Sequence, residues 1–162
     1  MTTRKAVVHG TSVALAGAGK AFGAPADAGV LLLGRSGAGK SDLALRLIAA
    51  GARLVSDDRC ELYVRRGRLF ARAPSAIAGL LEARGVGVIA LPRAESARIA
   101  LAVLLQRPGA RLPEPEYYAA PFDLSRPPPL LRLAPFEASA AEKVALAAAA
   151  FERKLFRETT IR

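Results

Sequence analysis

Eight consecutive residues, Gly34-Arg35-Ser36-Gly37-Ala38-Gly39-Lys40-Ser41, fit the pattern G-x-x-x-x-G-K-[ST] at every fixed position. The residue types suit the grip of a phosphate chain. Glycines adopt backbone angles closed to other residues and let N–H groups come close to an anion. A helix beginning behind them adds roughly half a positive charge. Lys40 can then reach the terminal phosphates, and the Ser41 hydroxyl can ligate Mg²⁺. All eight residues are therefore candidates for holding a nucleoside triphosphate or a related polyphosphate with Mg²⁺. The plain alternative is a chance glycine-rich turn, and the flanks argue against it. Val30-Leu31-Leu32-Leu33 is a continuous apolar run of the kind a buried parallel strand shows. Leu43, Leu45, Leu47 and Ile48, set among Ala44, Ala49 and Ala50, predict a helix that stops at Gly51.

Three further places could take part in such chemistry. Arg53-Leu54-Val55-Ser56 reads as a short strand ending in Asp57-Asp58, the end at which α/β sheets place their ligands. Adjacent acids at a strand end point in different directions. One can hold Mg²⁺ or its waters while the other accepts a proton from an attacking hydroxyl; a pair of turn caps is the alternative. Glu82 and Arg84 precede Gly85 and Gly87 just before the apolar run Val88-Ile89-Ala90-Leu91, expected to be a buried strand. They read either as an ion pair at a helix end or as a metal-binding Glu with a phosphate-facing Arg. His9 is the sole histidine, and alone it reads more readily as a surface or structural residue than as a catalyst.

The elements that must position these groups follow in order. Val7–Leu15 reads as a strand bent at Gly10, and residues 17–29 as a turn-rich link. Cys60–Val64 and Arg68–Ala71 form a hairpin around Arg65-Arg66-Gly67, with Cys60 half-buried in its strand. Pro74 and Ser75 open a short helix through Leu81. Arg98–Leu105 tilts to strand by its alternation of large and small apolar residues. Residues 106–135 carry prolines at 108, 113, 115, 121, 127, 128, 129 and 135, which predicts loops and at most short edge strands. Glu142–Arg157 is a terminal helix capped by Ser139, with an apolar stripe of Val144, Leu146, Ala147, Phe151 and Leu155; the last five residues are expected to fray. The chain of 162 residues suits one α/β domain with a mixed sheet and flanking helices.

Composition bounds the function classes. No run approaches the ~18 apolar residues of a membrane span, the apolar stretch before His9 and Gly10 is too short for a signal peptide, and the one cysteine excludes a disulfide framework or a cysteine-based metal site. The expectation is a cytoplasmic protein with no membrane partner. The formal charge of +10 comes from 24 basic against 14 acidic residues. The arginines are scattered and no aromatics interleave with them, which argues against nucleic acid and leaves an acidic or phosphorylated protein partner open.

With these pieces in place the chain resembles the catalytic domain of HPr kinase/phosphorylase. Three segments carry the likeness at compatible spacing: Gly34–Ser41, Leu54-Val55-Ser56-Asp57-Asp58-Arg59, and Leu81-Glu82-Ala83-Arg84-Gly85-Val86-Gly87-Val88, a Glu-x-Arg-Gly-x-Gly run. His9-Gly10 is similar as well. The resemblance covers about residues 7–157 and implies a phosphate-loop kinase domain of the HPr kinase/PEP carboxykinase-like type spanning residues 1–162. It implies that Gly34–Ser41 cradles ATP, that Ser41 and Glu82 hold Mg²⁺, that Asp57 or Asp58 is the proton acceptor for a serine, and that Lys40, Arg84 and His9 complete the site. It implies as substrate the serine of HPr, the small phosphocarrier of the phosphotransferase system, with phosphorolysis of the phosphoserine as the reverse reaction, and a homo-oligomer, often a hexamer. Other readings are a small-molecule kinase on the same loop and a nucleotide sensor without turnover. The departures are Arg35, where the family usually has Asp, and the poorly matching segment Arg126-Pro127-Pro128-Pro129-Leu130-Leu131-Arg132 near the family's mobile loop. Arg126 and Arg132 are candidates there for the reverse reaction. The chain resembles the short form of some α-proteobacteria that lacks an N-terminal domain.

Overall fold

The apolar runs fold into one curled sheet, seen in a computed structural model that describes residues 4–107 and 109–157. The expectations for the first three residues, Pro108 and the last five residues lie outside that range. The strands are β1 (Lys5–His9), β2 (Thr11–Ala14), β3 (Ala28–Leu33), β4 (Arg53–Ser56), β5 (Arg59–Arg65), β6 (Arg68–Arg72), β7 (Leu80–Ala83), β8 (Gly87–Ala90), β9 (Ala97–Leu105), β10 (Glu116–Tyr117) and β11 (Pro129–Leu133), with helices α1 (Lys40–Ala49) and α2 (Ala140–Arg153). Along the main sheet the order is β1-β5-β6-β9-β3-β2-β4, with β10 and β11 joining beside β9. β3 and β11 both run parallel to β9, and the other neighbours are antiparallel. The fold is thus the mixed α/β architecture that the sequence pattern predicts.

β9 is the spine. β3 lines one edge from Arg98 to Leu104. The other edge is divided: β6 pairs only at Ala97 and Arg98, and β11 takes over at Ala102–Leu105. The sheet therefore forks, and residues 99–101 of β9 have no strand partner on that side among the described residues. On one face Val30, Leu32, Leu101 and Val103 pack against Leu43 and Leu47 of α1 and Ala140, Val144 and Ala148 of α2. The small side chains of α2 bring its axis close to the sheet. On the other face Leu31, Val55, Leu62, Leu69 and Ile99 form a second core, covered by Tyr118, Phe122 and Leu124 from the proline-rich stretch.

Several expectations need correction. The helix expected from Pro74 through Leu81 is a single 3-10 turn at Ser75–Ile77, and Leu80–Ala83 is a strand. The turn ends at Ala78, whose backbone is extended at φ −58° and ψ 127°, and Gly79 then takes the left-handed φ of +77° that a helix cannot continue through. β8 is exposed at every position rather than buried, because it pairs only with β7, and of the hairpin it is Leu81 of β7 that reaches the core. The 17–29 link contains a 3-10 helix, Ala16–Phe22, and yields to β3 at Ala28. α2 stops at Arg153, where Lys154 turns left-handed, and Leu146 and Leu155 face solvent. The expected Val144 is buried, but the rest of the buried stripe is alanine, so apolar size is a poor guide to its facing. Ser139 stands at the N-cap without a side-chain capping bond.

Leu101 is fully buried at the centre of β9, between both helices and the sheet. Leu101→Ala is expected to cost about 3 kcal/mol through lost transfer energy and the cavity left behind, read as a lower urea midpoint at unchanged slope.

Candidate active site

β3 and β4 run the same way, each antiparallel to β2, so the Gly34–Ser41 loop after β3 and Asp57-Asp58 after β4 emerge at one end of the sheet. The start of β2 lies at the same end, since Thr11 pairs with Leu32. Topology alone thus brings together three segments far apart in sequence.

The loop has the backbone its glycines permit, with φ of +149° at Gly34, +81° at Gly37 and +100° at Gly39. α1 starts directly behind it at Lys40. The Lys40 side chain, almost wholly buried, folds into the loop and donates from Nζ to the carbonyls of Gly34 at 2.8 Å and Arg35 at 2.9 Å. Arg35, Ser36 and Gly37 are exposed at the loop's crest, and a side chain on Gly37 would meet nothing within 4 Å. At Gly39 the space is taken: a Cβ there would lie 2.9 Å from the Phe136 ring. Arg46 of α1 donates to the Pro135 carbonyl, so the segment after β11 is pinned against the loop.

The two aspartates have opposite environments. Asp57 is buried and accepts three hydrogen bonds: from the Thr11 hydroxyl at 3.0 Å and the Ser41 hydroxyl at 2.6 Å on Oδ1, and from the Glu82 backbone N–H at 3.1 Å on Oδ2. Asp58 sits in the left-handed region at φ +68°, which swings its side chain out to solvent. Its N–H donates to Thr11 Oγ1 at 3.1 Å, its carbonyl accepts from Gly10 N at 3.0 Å, and its carboxylate lies 3.5 Å from His9 Nδ1. Thr11 thus ties both aspartates into place. The buried polar side chains among the described residues, Thr11, Ser12, Lys40, Ser56 and Asp57, all gather at this end, and none lacks a hydrogen-bond partner.

Glu82 and Arg84 lie on β7 and its turn, both exposed and neither in an ion pair among the described residues. Glu82 reaches the centre through its backbone N–H. Of the proline-rich segment that matches the family's mobile loop poorly, Arg132 is paired to Glu116 at 2.9 Å. Arg126 precedes β11 at the opposite end of the parallel strands, held by Gly67 at the β5–β6 turn, so it does not belong to this site. Sequence reasoning missed Thr11, which read only as a strand-compatible residue, and Phe136, hidden in a stretch without periodicity.

The described residues hold no group of three or more His, Cys, Asp and Glu side chains arranged around a metal. Mg²⁺ does not need one, because it commonly takes one or two protein oxygens and completes its shell with phosphates and water. The Ser41 hydroxyl and the Asp57 carboxylate, 2.6 Å apart, are two oxygens that could serve in that way.

Cys60, expected to be half-buried, is fully buried beneath this end of the sheet, its Sγ 3.3 Å from the Gly10 carbonyl. Burial first, then the nearby Asp57 and Asp58 charges, push the thiol pKa up to about 12, against a lowering from a hydrogen bond with Ser56. A group that holds its proton more tightly when folded loses stability as pH rises above its unfolded value. The urea midpoint should therefore fall with pH between about 9 and 12, by more than in Cys60→Ala measured in parallel; equal slopes would refute the assignment. A second expectation concerns Thr11→Val, which keeps shape and removes the shared hydroxyl. It should cost about 1–3 kcal/mol in urea unfolding, the range for a buried polar group left short of a partner, and Thr11→Ser should recover most of it.

A family model described as the HPr serine kinase C-terminal domain matches residues 3–99. The HPr kinase/phosphorylase of Clostridium tetani is 45% identical over 64 residues, which are 40% of this chain and 21% of that protein. The Brevibacillus brevis protein of the same name is 52% identical over 62 residues, 38% of this chain and 20% of its own length. The matched segment thus spans about a fifth of the length of these curated relatives. The solved Hpr(Ser) kinase/phosphatase from Coxiella burnetii superposes with a TM-score of 0.71 at 20% identity, over 93% of this chain and 98% of that one, a likeness of fold.

Proposed function

This chain belongs to the HPr serine kinase C-terminal domain family, and from that premise we propose that it transfers the terminal phosphoryl group of ATP to a serine of HPr or an HPr-like phosphocarrier. The observation that carries the reading is the sorting of the two aspartates at the mouth of the glycine-rich loop. One carboxylate is buried against the Ser41 hydroxyl, and the other is exposed beside His9.

In this reading the loop N–H groups and the start of α1 take up the phosphate charge, so Gly34–Ser41 works as a phosphate-binding loop. Lys40, held by the loop carbonyls, needs only a short swing to meet the phosphate oxygens. Ser41 and Asp57 would hold Mg²⁺, with Glu82 on its outer side; the ion neutralises charge developing on the transferred group. Asp58 accepts the serine proton. Its exposure leaves room for a protein substrate, and His9 fixes the carboxylate's direction. Arg84 faces the phosphates from the β7–β8 turn. The same charges would serve phosphorolysis, in which inorganic phosphate attacks the phosphoserine and pyrophosphate leaves. Arg126 stands at the far end and Arg132 is engaged by Glu116, which supports the forward reaction over the reverse.

The wider reading is a single catalytic domain over residues 1–162, cytoplasmic and homo-oligomeric, hexameric as the resemblance implies. No described helix is long and apolar enough to cross a membrane. The excess of basic residues suits an acidic protein partner through electrostatic steering.

Incubation of the protein with labelled ATP–Mg²⁺ and purified HPr, followed by mass mapping, should give a single phosphoserine on HPr; nucleotide binding without transfer would refute the kinase reading. Lys40→Ala should lower transfer by roughly 10²–10³-fold, the scale of one lost transition-state charge. Asp58→Asn should lower turnover by roughly 10²–10⁴-fold, the scale of general base catalysis, with nucleotide affinity held within about twofold. A parallel fall of affinity and turnover in Asp58→Asn would exclude it as the proton acceptor.

A further inference from the structure

The fork in the sheet creates a second concave site. Where β6 leaves β9 and β11 has not yet begun, a cleft of about 200 Å³ opens, lined by Arg68, Arg98 and Arg126, with Ile99, Phe151 and the Pro127–Pro129 run giving apolar surface. Its position is fixed by register. Arg98 pairs with Ala28 at the start of β3, whereas Leu104 pairs with Leu33 just before the glycine-rich loop. The two sites are therefore about 20 Å apart along β9, at roughly 3.3 Å per residue.

The charge of this cleft is unbalanced. Glu152 of α2 neutralises Arg98 at 2.6 Å, and both side chains are largely buried. Arg68 and Arg126 have no acidic partner among the described residues. They are nevertheless placed by the backbone. The Gly67 carbonyl, next to Arg68, accepts from Ser125 N at 3.1 Å, Ser125 Oγ at 3.2 Å and Arg126 N at 3.4 Å. Three prolines stiffen the chain that follows. Two uncompensated guanidinium groups lining the cleft from segments joined by these backbone bonds, beside a third fixed by an ion pair, make a frame for a planar or tetrahedral dianion.

We propose that this cleft is a second ligand site, which takes a small organic phosphate monoester: the phosphate between Arg68 and Arg126, its carbon portion against Ile99, Phe151 and the prolines. A phosphate monoester carries ≈ −1.5 to −2 charge at neutral pH, which matches the two free guanidinium groups. The proposal is independent of the kinase reading, since it uses none of the residues at the other end of the sheet.

The test is calorimetric titration of the whole protein with glycerol phosphate, with inorganic phosphate and malonate as separate probes, in the Lys40→Ala background so that the glycine-rich loop contributes little. Saturable binding of glycerol phosphate is expected, tighter than that of inorganic phosphate because the apolar wall is used, and tighter than that of malonate. Arg126→Ala and Arg68→Ala should each weaken it about tenfold, as expected for loss of one charge-assisted contact, with thermal midpoints unchanged. Lys substitution at position 126 should restore part of the affinity. Equal weak binding of all three probes would show a diffuse basic surface and overturn the proposal. So would affinity that ignores both arginine substitutions, or no saturation by about 10 mM.

Discussion

Asp57 is a buried carboxylate, and burying such a charge is costly unless donors surround it. Here the donors come from three different parts of the chain: Thr11 opens β2, Ser41 lies in the first turn of α1, and the Glu82 N–H belongs to β7. Satisfying one carboxylate therefore fixes the start of a strand, the start of a helix and the turn end of a hairpin relative to the end of β4. Asp58 follows as a consequence. With Asp57 turned inward, the next residue must reverse the chain into β5, and it does so in a left-handed conformation that sends its carboxylate outward to His9.

The spine β9 gives the molecule two ends with different electrostatics. At the end where β3 and β4 finish, N–H groups, Lys40 and two carboxylates converge. At the other, the divided edge of β9 leaves a cleft bordered by arginines. α2 spans between these regions: Ala140 lies in the core beneath the loop end and Glu152 ties Arg98 at the cleft. Packing of alanine against the sheet leaves little slack between them.

Much of the fold was legible because local rules and tertiary needs agree. The bounds of β4 and the buried apolar character of β3 follow from sequence pattern, as does α1 behind the glycine-rich loop. The failures have physical causes. β8 is apolar yet exposed, because composition reports affinity for a core and not whether a covering layer exists. The stretch 74–83 has short apolar runs that suit a helix or a strand, and the pairing of β7 with β8 chose the strand. α2 buries alanines and exposes Leu146 because contact distance, and not side-chain size, governs that face. The candidate site was legible as a set of residues. What sequence could not give was which of the two adjacent aspartates turns inward and which faces solvent, which depends on one backbone angle, or the bridging hydroxyl of Thr11, which depends on a contact 46 positions away in sequence.

The measurement that tests the central role of Asp57 most directly compares Asp57→Asn with Asp58→Asn by urea unfolding and by Mg²⁺-dependent nucleotide binding on the same samples. If Asp57 is the tie between the loop and the sheet, Asp57→Asn lowers the unfolding midpoint and weakens Mg²⁺-dependent binding by about tenfold or more, the scale of a buried charged hydrogen-bond network losing its acceptor. Asp58→Asn leaves both close to the parent protein. Equal effects from the two substitutions, or an Asp57→Asn protein as stable and as well bound as the parent, would contradict the account.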